Sequence, residues 1–188
     1  MDDEFDKLFN GEIMTDDEKI ATITHSQKNL AMGDVKRASA GESKLGAFML
    51  CSCLIDAMAY FSSSSAGVGA NYRSFVQEYL TPYNPAKLYS DLRCKLVHNY
   101  SEGGSFMFIH AQPNMHLKPA LLANRVYINL DNFIVDIESA LESFCNRLQN
   151  PNETELRCNA VSRYNSSNII QVITMPSIVM SPSASGTR

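Results

Sequence analysis

The chain has 188 residues, 45% of them apolar and 19% charged, which is typical of one soluble globular domain with a hydrophobic core of its own. A net charge of −4 argues against binding nucleic acid through a positive field over the whole domain, although it is compatible with a short local basic site. The five cysteines form no CxxC pair and are odd in number, which argues against a disulfide framework and against a zinc knuckle.

The first predicted helix begins at a capping box. Residues 1–14 are acidic, contain neither the basic nor the apolar region of a signal peptide, and are predicted to be flexible. Thr15 and Glu18 have the spacing of a hydroxyl cap and a carboxylate three residues later, so the helix should run from there to about Arg37. Its inner side should carry Ile20, Ile23 and Leu30.

The second predicted helix, about residues 44–62, is apolar on almost every side. This pattern favours a central helix in a bundle, with Cys51 and Cys53 as small buried residues. Its most apolar part, residues 45–61, contains Asp56 and is shorter than the ~20 residues of a membrane span. The sequence therefore predicts a cytoplasmic protein with no membrane contact.

Turn-forming residues then define two shorter helices. The SSSSAGVG stretch breaks the second helix, and a short amphipathic segment follows over 71–80. Asn84 and Pro85 are a strong start signal for a helix over about 85–99. Asparagine is a favoured N-cap residue, and the first helical position tolerates proline because the N–H there has no partner within the helix. Two glycines, at 103 and 104, are predicted to end that helix.

The second half of the chain combines a small β-element with further helices. Residues 105–112 and 124–130 are rich in β-formers and predict a two-stranded hairpin around an 11-residue connection. Asp131 is then predicted to cap a helix with an unbroken apolar stripe. The stripe comprises Phe133, Ile134, Ile137, Ala140, Leu141, Phe144, Cys145 and Leu148.

A shorter helix should cover about residues 152–164, and residues 165–188 form an apolar and then Ser/Pro-rich extended tail. The predicted architecture is thus a single mainly α-helical domain over residues 15–164. It is a bundle of four to five main helices with a small inserted β-hairpin.

Arg93 and His98 are the candidate chemical residues. On a straight α-helix they lie about 140° apart, so they would meet only through an unwound last turn or across a dimer. The spacing alone is weak, because about 0.2 such pairs are expected by chance in a chain of this composition. A structural interpretation stays open. In it, the Arg93 side chain would lie over the edge of the core, and the helix dipole would favour His98 in the last helical turn.

The motif Arg93-Cys94-Lys95-Leu96-Val97-His98-Asn99-Tyr100 resembles the Arg-x4-His-x-Tyr form found in prokaryotic toxins of the HEPN superfamily. The segments 51–61 and 73–80 resemble, in order, parts of small bacterial HEPN-like proteins, and the likeness covers about residues 40–150. It implies an HEPN-like helical bundle, a homodimer with facing motif helices and metal-independent RNA cleavage. Cys94 departs from the pattern, because many active members carry Asn, Asp or His directly after the arginine.

The resemblance implies that His98 moves protons and that Arg93 holds the phosphate while the RNA 2′-OH attacks it, without metal or cofactor. The supporting candidates are Asn99, Tyr100, Asp56 and Lys95. Tyr100 matches a tyrosine that a nucleotidyltransferase antitoxin modifies in related toxins, which makes such an antitoxin a candidate partner. Asp56 would orient Arg93, with a solvent-facing or capping role equally open.

Further residues have weaker predicted roles in binding RNA. Lys95 and Arg73 would contact the phosphate backbone, and an unpaired base could stack on Tyr83, Tyr89 or Tyr100. His110 and His116 are too isolated to hold a metal ion.

Three functions remain open: a ribonuclease, acting as a toxin or in phage defence; a non-catalytic nucleotide- or RNA-binding module; and a regulatory dimerisation protein. The ribonuclease requires Arg93 and His98 of both subunits to line one open cleft. A salt-bridged, buried Arg93 with His98 facing bulk water would favour the structural alternatives.

Overall fold

The computed structural model describes residues 14–64, 67–101, 103–121 and 124–167, so the predicted flexible N-terminus and extended C-terminal tail lie almost wholly outside it. The described residues form a mainly helical bundle of six helices with one small parallel sheet. Helix α1 joins α-helical Asp16–His25, π-helical Ser26–Ala31 and α-helical Met32–Ala40. The remaining elements are α2 (Lys44–Ser62), α3 (Val68–Tyr79), α4 (α-helical Pro85–Lys87, then π-helical Leu88–Val97), β1 (Phe106–Ile109), β2 (Val126–Asn129), α5 (Leu130–Gln149) and α6 (Thr154–Ser166).

Helix α1 starts where the capping box predicts. The Glu18 backbone donates to Thr15 Oγ1 at 3.3 Å, and the Thr15 backbone donates to Glu18 Oε2 at 2.7 Å. Ile20 and Ile23 are buried as predicted, but Leu30 is 38% exposed. The prediction for Leu30 was wrong because it lies in the π-helical stretch, where i→i+5 bonding turns the following side chains out of the α-helical register.

Helix α2 is the centre of the bundle and packs against α1, α3, α5 and α6. By length and composition it is apolar enough to cross a membrane, but half of its most apolar window is buried inside the protein, as in the core helix of a soluble protein. Cys51 is buried as predicted, whereas Cys53 is exposed. The burial predicted for Cys53 was wrong because the neighbouring helices leave one edge of α2 uncovered, where Leu50 is also exposed.

Helix α4 begins as its sequence predicts. The Lys87 backbone donates to Asn84 Oδ1 at 3.0 Å, and Pro85 occupies the first turn, where its missing N–H leaves no bond unmade. Leu88, Leu92 and Leu96 face the core and are almost completely buried. The helix thus turns one face into the bundle and leaves Arg93 and His98 at its margin.

The two strands pair in parallel, from Phe106 opposite Val126 to Ile109 opposite Asn129. The predicted hairpin was wrong because the chain between the strands is long enough for a crossover, which parallel pairing requires. This connection then runs antiparallel along the free edge of β2, where Leu117 N donates to Tyr127 O at 2.8 Å. Strand β2 therefore has backbone partners on both sides.

Helix α5 buries its whole predicted apolar stripe. Its N-cap is Asn129 rather than Asp131, so the predicted cap was wrong. The Asp131 carboxylate instead accepts a bond from the Ala111 backbone at 3.1 Å, because the crossover brings unpaired N–H groups to this helix end. The Asn129 side chain accepts from the Gln112 backbone at 3.0 Å, which fastens the crossover to α5.

Candidate functional site

Arg93 and His98 contact each other within one chain. Arg93 Nη1 and His98 Nε2 are 2.5 Å apart. The separation predicted for a straight α-helix was wrong because residues 88–97 are π-helical, and i→i+5 bonding places residues five apart on the same side. Neither an unwound turn nor a second subunit is needed to bring the two side chains together.

The chemistry of this bond defines the state of the histidine. A guanidinium has five N–H donors and no acceptor, so His98 Nε2 must accept and must carry no proton. The imidazole therefore directs a lone pair toward Arg93, a group that can also bind a phosphate. His98 itself is exposed, so solvent reaches the ring from the other side.

Asp56, on α2, holds the other edge of Arg93. Arg93 Nε donates to Asp56 Oδ2 at 2.6 Å, which confirms the predicted pair. The two side chains are only 19% and 24% exposed. Partial burial lowers the pKa of Arg93, but the hydrogen bond and charge of Asp56 outweigh it and leave the pKa above its usual value. Asp56 thus fixes Arg93 by one nitrogen and leaves another directed at His98.

A second arginine lies near the same site. The guanidinium carbons of Arg73 and Arg93 are 5.3 and 5.9 Å from the centre of the Tyr89 ring, within the range of cation–π attraction. Tyr89 also packs against the buried Tyr72, with ring centres 5.5 Å apart. The site therefore carries two cations around one half-buried aromatic ring.

The other candidates on α4 differ in their placement. Lys95 and Asn99 are exposed, in keeping with contacts to a ligand from solvent. Cys94 is half-buried beside Tyr89, which lies five residues earlier in the π-helix. Burial and the hydrogen bond and charge of Cys94 together raise the pKa of the Tyr89 phenol. The unusual residue of the motif therefore packs on the Tyr89 side of the helix.

Tyr100 ends helix α4 in place of the predicted glycines. Its backbone has a φ of 52°, in the left-handed region, and its side chain is 66% exposed. Tyr100 N donates to Leu96 O and Ser101 N to Lys95 O, at 3.1 and 3.2 Å; each bond spans one residue more than in a Schellman motif, in keeping with the wider π-helical turn that precedes it. Glycine usually occupies this position, so periodicity could not have identified Tyr100 as the terminator.

A pocket of about 300 Å³ opens beside Tyr100, between the start of α2, the end of α4 and strand β1. It is lined by Lys44, Leu45, Phe48, Leu96, Tyr100, Ser101, Phe108, Ile109 and His110. Most of these residues carry no motif, and they come from three separate parts of the chain. Only their tertiary arrangement reveals the pocket.

A second polar cluster lies away from Arg93. The Tyr83 hydroxyl donates to Asp136 Oδ2 at 2.6 Å and lies 2.9 Å from His116 Nε2. The Asn129 backbone donates to His116 Nδ1 at 3.1 Å, so the His116 proton is on Nε2. Burial and the Asp136 carboxylate raise the pKa of Tyr83. Tyr83 is 4% exposed, so the proposed stacking of a base on it was wrong.

Metal ligands do not cluster in the part of the chain that the structure describes, since it contains no group of three or more His, Cys, Asp or Glu side chains arranged to hold an ion. Comparison with protein-family models, with curated proteins and with solved structures finds no match for the chain.

Proposed function

We propose that the protein is a metal-independent endoribonuclease of the HEPN type that acts in the cytoplasm as a toxin or defence element. The observation that carries the proposal is the 2.5 Å contact between Arg93 Nη1 and His98 Nε2 at the protein surface. It joins a permanent cation, suited to a phosphate, to an imidazole nitrogen that is free to accept a proton.

The proposed reaction uses the RNA as its own nucleophile. A phosphate that binds Arg93 takes the place of the contact with His98, and His98 Nε2 then accepts the proton of the 2′-OH. The 2′-oxygen bonds to phosphorus, the bond from phosphorus to the 5′-oxygen breaks, and water or a second imidazole protonates that oxygen. The products are a 2′,3′-cyclic phosphate and a 5′-hydroxyl. Arg93 stabilises the additional negative charge of the transition state.

The surrounding residues have supporting roles in this proposal. Asp56 holds Arg93 in place through its Nε, so the guanidinium does not need to be ordered when the phosphate binds. Arg73 and Lys95 add positive charge for neighbouring phosphates. Asn99 and Tyr100 follow His98 at the exposed helix end, where their side chains can reach the same strand of RNA.

We also propose that the protein is a homodimer through α4, as the HEPN resemblance implies. Because Arg93 and His98 already meet within one chain, the dimer would place two complete pairs near one another rather than assemble one pair from two subunits. A nucleotidyltransferase antitoxin that modifies Tyr100 is the corresponding proposed partner, since the exposed Tyr100 side chain is accessible to an enzyme.

A specific observation favours a second candidate function. Arg93 is ion-paired and about four-fifths covered, while His98 is exposed, as expected for a non-catalytic binding or regulatory module that keeps the pair for stability. In that case the contact with His98 is a consequence of the π-helix.

The test compares wild-type protein with Arg93→Ala and His98→Ala in growing cells and on labelled RNA. We expect wild-type toxicity and cyclic-phosphate ends, and a loss of about 10²- to 10⁴-fold in cleavage rate for each variant. Arg37→Ala and His25→Ala are matched controls, because Arg37 is an exposed arginine paired with Asp34 and His25 is an exposed histidine in α1.

A harmless wild type that leaves RNA uncut would contradict the ribonuclease proposal. If Arg93→Ala or His98→Ala then also failed to dimerise, the motif would be an interface and the protein a binding module.

A further inference from the structure

The pocket beside Tyr100 is open to solvent and has a mainly apolar floor. Its volume of about 300 Å³ is at the lower end of the range for small-molecule sites, so it suits one compact ring system. It lies next to the end of α4, and Tyr100 on its wall is two residues after His98.

Aromatic rings form much of the wall. The Phe48 and Phe108 rings pack with their centres 4.7 Å apart and their planes tilted by 40°. Tyr100 contributes a third ring, most of which is exposed. Planar ligands stack on such surfaces, and nucleobases do so independently of their identity, because each base has a π-face.

The polar groups of the pocket favour a ligand with negative charge. Lys44 and His110 are among the residues that line it, and the described residues that line it include no carboxylate. The Lys44 ammonium donates to the Ser39 carbonyl, which anchors the charge close to the pocket. A purely apolar ligand would leave this cation with no opposite charge from the ligand, whereas a nucleotide would place its phosphate near it.

Tyr100 is held in an unfavourable backbone conformation. A φ of 52° is strained for a residue with a side chain, and this position at a helix end usually carries glycine. Residues kept in such conformations concentrate at sites where the strain has a use. Here the left-handed turn places the Tyr100 ring on the wall of the pocket.

From these observations we infer that the pocket binds an unpaired nucleobase of the RNA strand whose phosphate contacts Arg93 and His98. The inference rests on the proposed function, to which it adds a subsite for single-stranded substrate. Base stacking would fix the nucleotide next to the scissile bond, while Lys44 attracts the adjoining phosphate. Paired bases could not enter a pocket of this size, so cleavage would be selective for single strands.

The experiment uses a short RNA with 2-aminopurine at one position and a 2′-deoxy nucleotide at the cleavage position, so that it binds without being cut. Because 2-aminopurine fluorescence falls when the base stacks, binding is measured as quenching. We expect Tyr100→Gly to weaken binding by about fivefold to a hundredfold, the usual effect of losing one aromatic stacking partner. Tyr100→Phe, which keeps the ring, should retain the quenching.

Tyr100→Gly suits this test because glycine is favoured at a left-handed φ, so the variant should fold. Leu121→Gly is the matched control, since it removes a 96% exposed apolar side chain outside the pocket and should bind like the wild type. A 2-aminopurine mononucleotide is tested in parallel, and quenching of the mononucleotide as strong as that of the RNA would overturn the RNA strand as the occupant.

Absence of quenching by the wild type, or equal quenching by Tyr100→Gly, would overturn the nucleobase site. If the wild type cleaves abasic RNA as fast as intact RNA, the site is overturned while the ribonuclease proposal stands. Quenching that depends on Tyr100, in a protein that cuts no RNA, would support the site and contradict the ribonuclease. Arg93→Ala should lose cleavage and still quench, which separates the two roles.

Discussion

Arg93 makes two different contacts with two edges of one guanidinium. Its Nε donates to Asp56, which neutralises its charge inside the protein, and its Nη1 is directed at His98. The planar fork of arginine holds the two contacts on separate nitrogens at fixed positions, whereas the three donors of a lysine ammonium share one nitrogen. The residue is therefore both a link between α2 and α4 and the candidate phosphate ligand.

Replacing the partner of Arg93 tests the structural half of that description. Asp56→Asn keeps the shape of the side chain but removes its charge, so a largely covered arginine loses its counter-ion. We expect a loss of about 1–2 kcal/mol in the free energy of unfolding, between the effects typical of exposed and of buried pairs. Urea unfolding measures it, with Asp34→Asn as control, since the pair of Asp34 with Arg37 is exposed and should matter little.

Tyr100 should limit the stability of the protein. Tyr100→Gly relieves the left-handed backbone of a residue that is 66% exposed and buries little surface. We expect the variant to be more stable by about 0.5–1 kcal/mol in urea unfolding. Tyr100→Ala keeps a Cβ and should gain nothing. A less stable Tyr100→Gly would mean that packing of the Tyr100 ring outweighs the strain.

At the level of elements, the π-helical part of α4 determines the geometry of the site. Two pairs of residues five apart are neighbours there, Arg93 with His98 and Tyr89 with Cys94. In an α-helix neither pair would meet. Because π-helical turns are rare and often mark functional sites, their presence beneath the motif agrees with a role for this helix beyond packing.

The loop after α4 approaches the helix too closely for a side chain. A Cβ on Gly103 would lie 2.1 Å from Asp91 Cβ and 2.4 Å from Asp91 Cα, whereas a Cβ on Gly104 meets nothing within 4 Å. The two glycines therefore have different roles: Gly103 lets the chain pass against α4 toward β1, and neither ends the helix.

The matched pair Gly103→Ala and Gly104→Ala tests this difference. We expect the first to destabilise the protein by about 1–3 kcal/mol, as overpacking does, because a backbone atom must move to admit the methyl group. The second should change stability by less than about 0.5 kcal/mol. Thermal or urea unfolding of both variants measures it, and equal effects would contradict the close approach.

For the whole molecule, the buried thiols predict how stability depends on pH. Burial raises the pKa of Cys51 to about 12 and that of Cys145 to about 11, from an ordinary value of 9.0. Because the folded-state pKa values are raised, this contribution to stability is complete below pH 9, and it is lost as the pH rises to about 11 for Cys145 and about 12 for Cys51. The slope should reach about 1.4 kcal/mol per pH unit for each thiol.

Urea unfolding between pH 8 and about 11 measures that slope. Cys145→Ala should flatten it, whatever its effect on stability at neutral pH. Cys158→Ala should leave the slope unchanged, because Cys158 is exposed. An unchanged slope in Cys145→Ala would mean that other groups, such as tyrosines, cause the alkaline loss.

Those parts of the fold that depend on neighbours in sequence could be predicted from it. The capping box at Thr15, the cap at Asn84 and the apolar stripe of α5 all lie where the sequence places them, since each depends on contacts within one helix or on one repeating face. The pair of Asp56 with Arg93 was also predictable, because a carboxylate in an apolar helix needs a donor.

The remaining features depend on contacts between distant segments. The parallel pairing of β1 and β2 follows from where the crossover packs, and the exposure of Cys53 from which side of α2 its neighbours leave open. The contact of Arg93 with His98 depends on the π-helix. That helix forms because its wider turn still lets Leu88, Leu92 and Leu96 all pack in the core. The sequence by itself therefore determined the helices, the N-caps of α1 and α4 and the candidate residues. The tertiary structure alone decided which of those residues meet, because packing selects among backbone conformations of similar local energy.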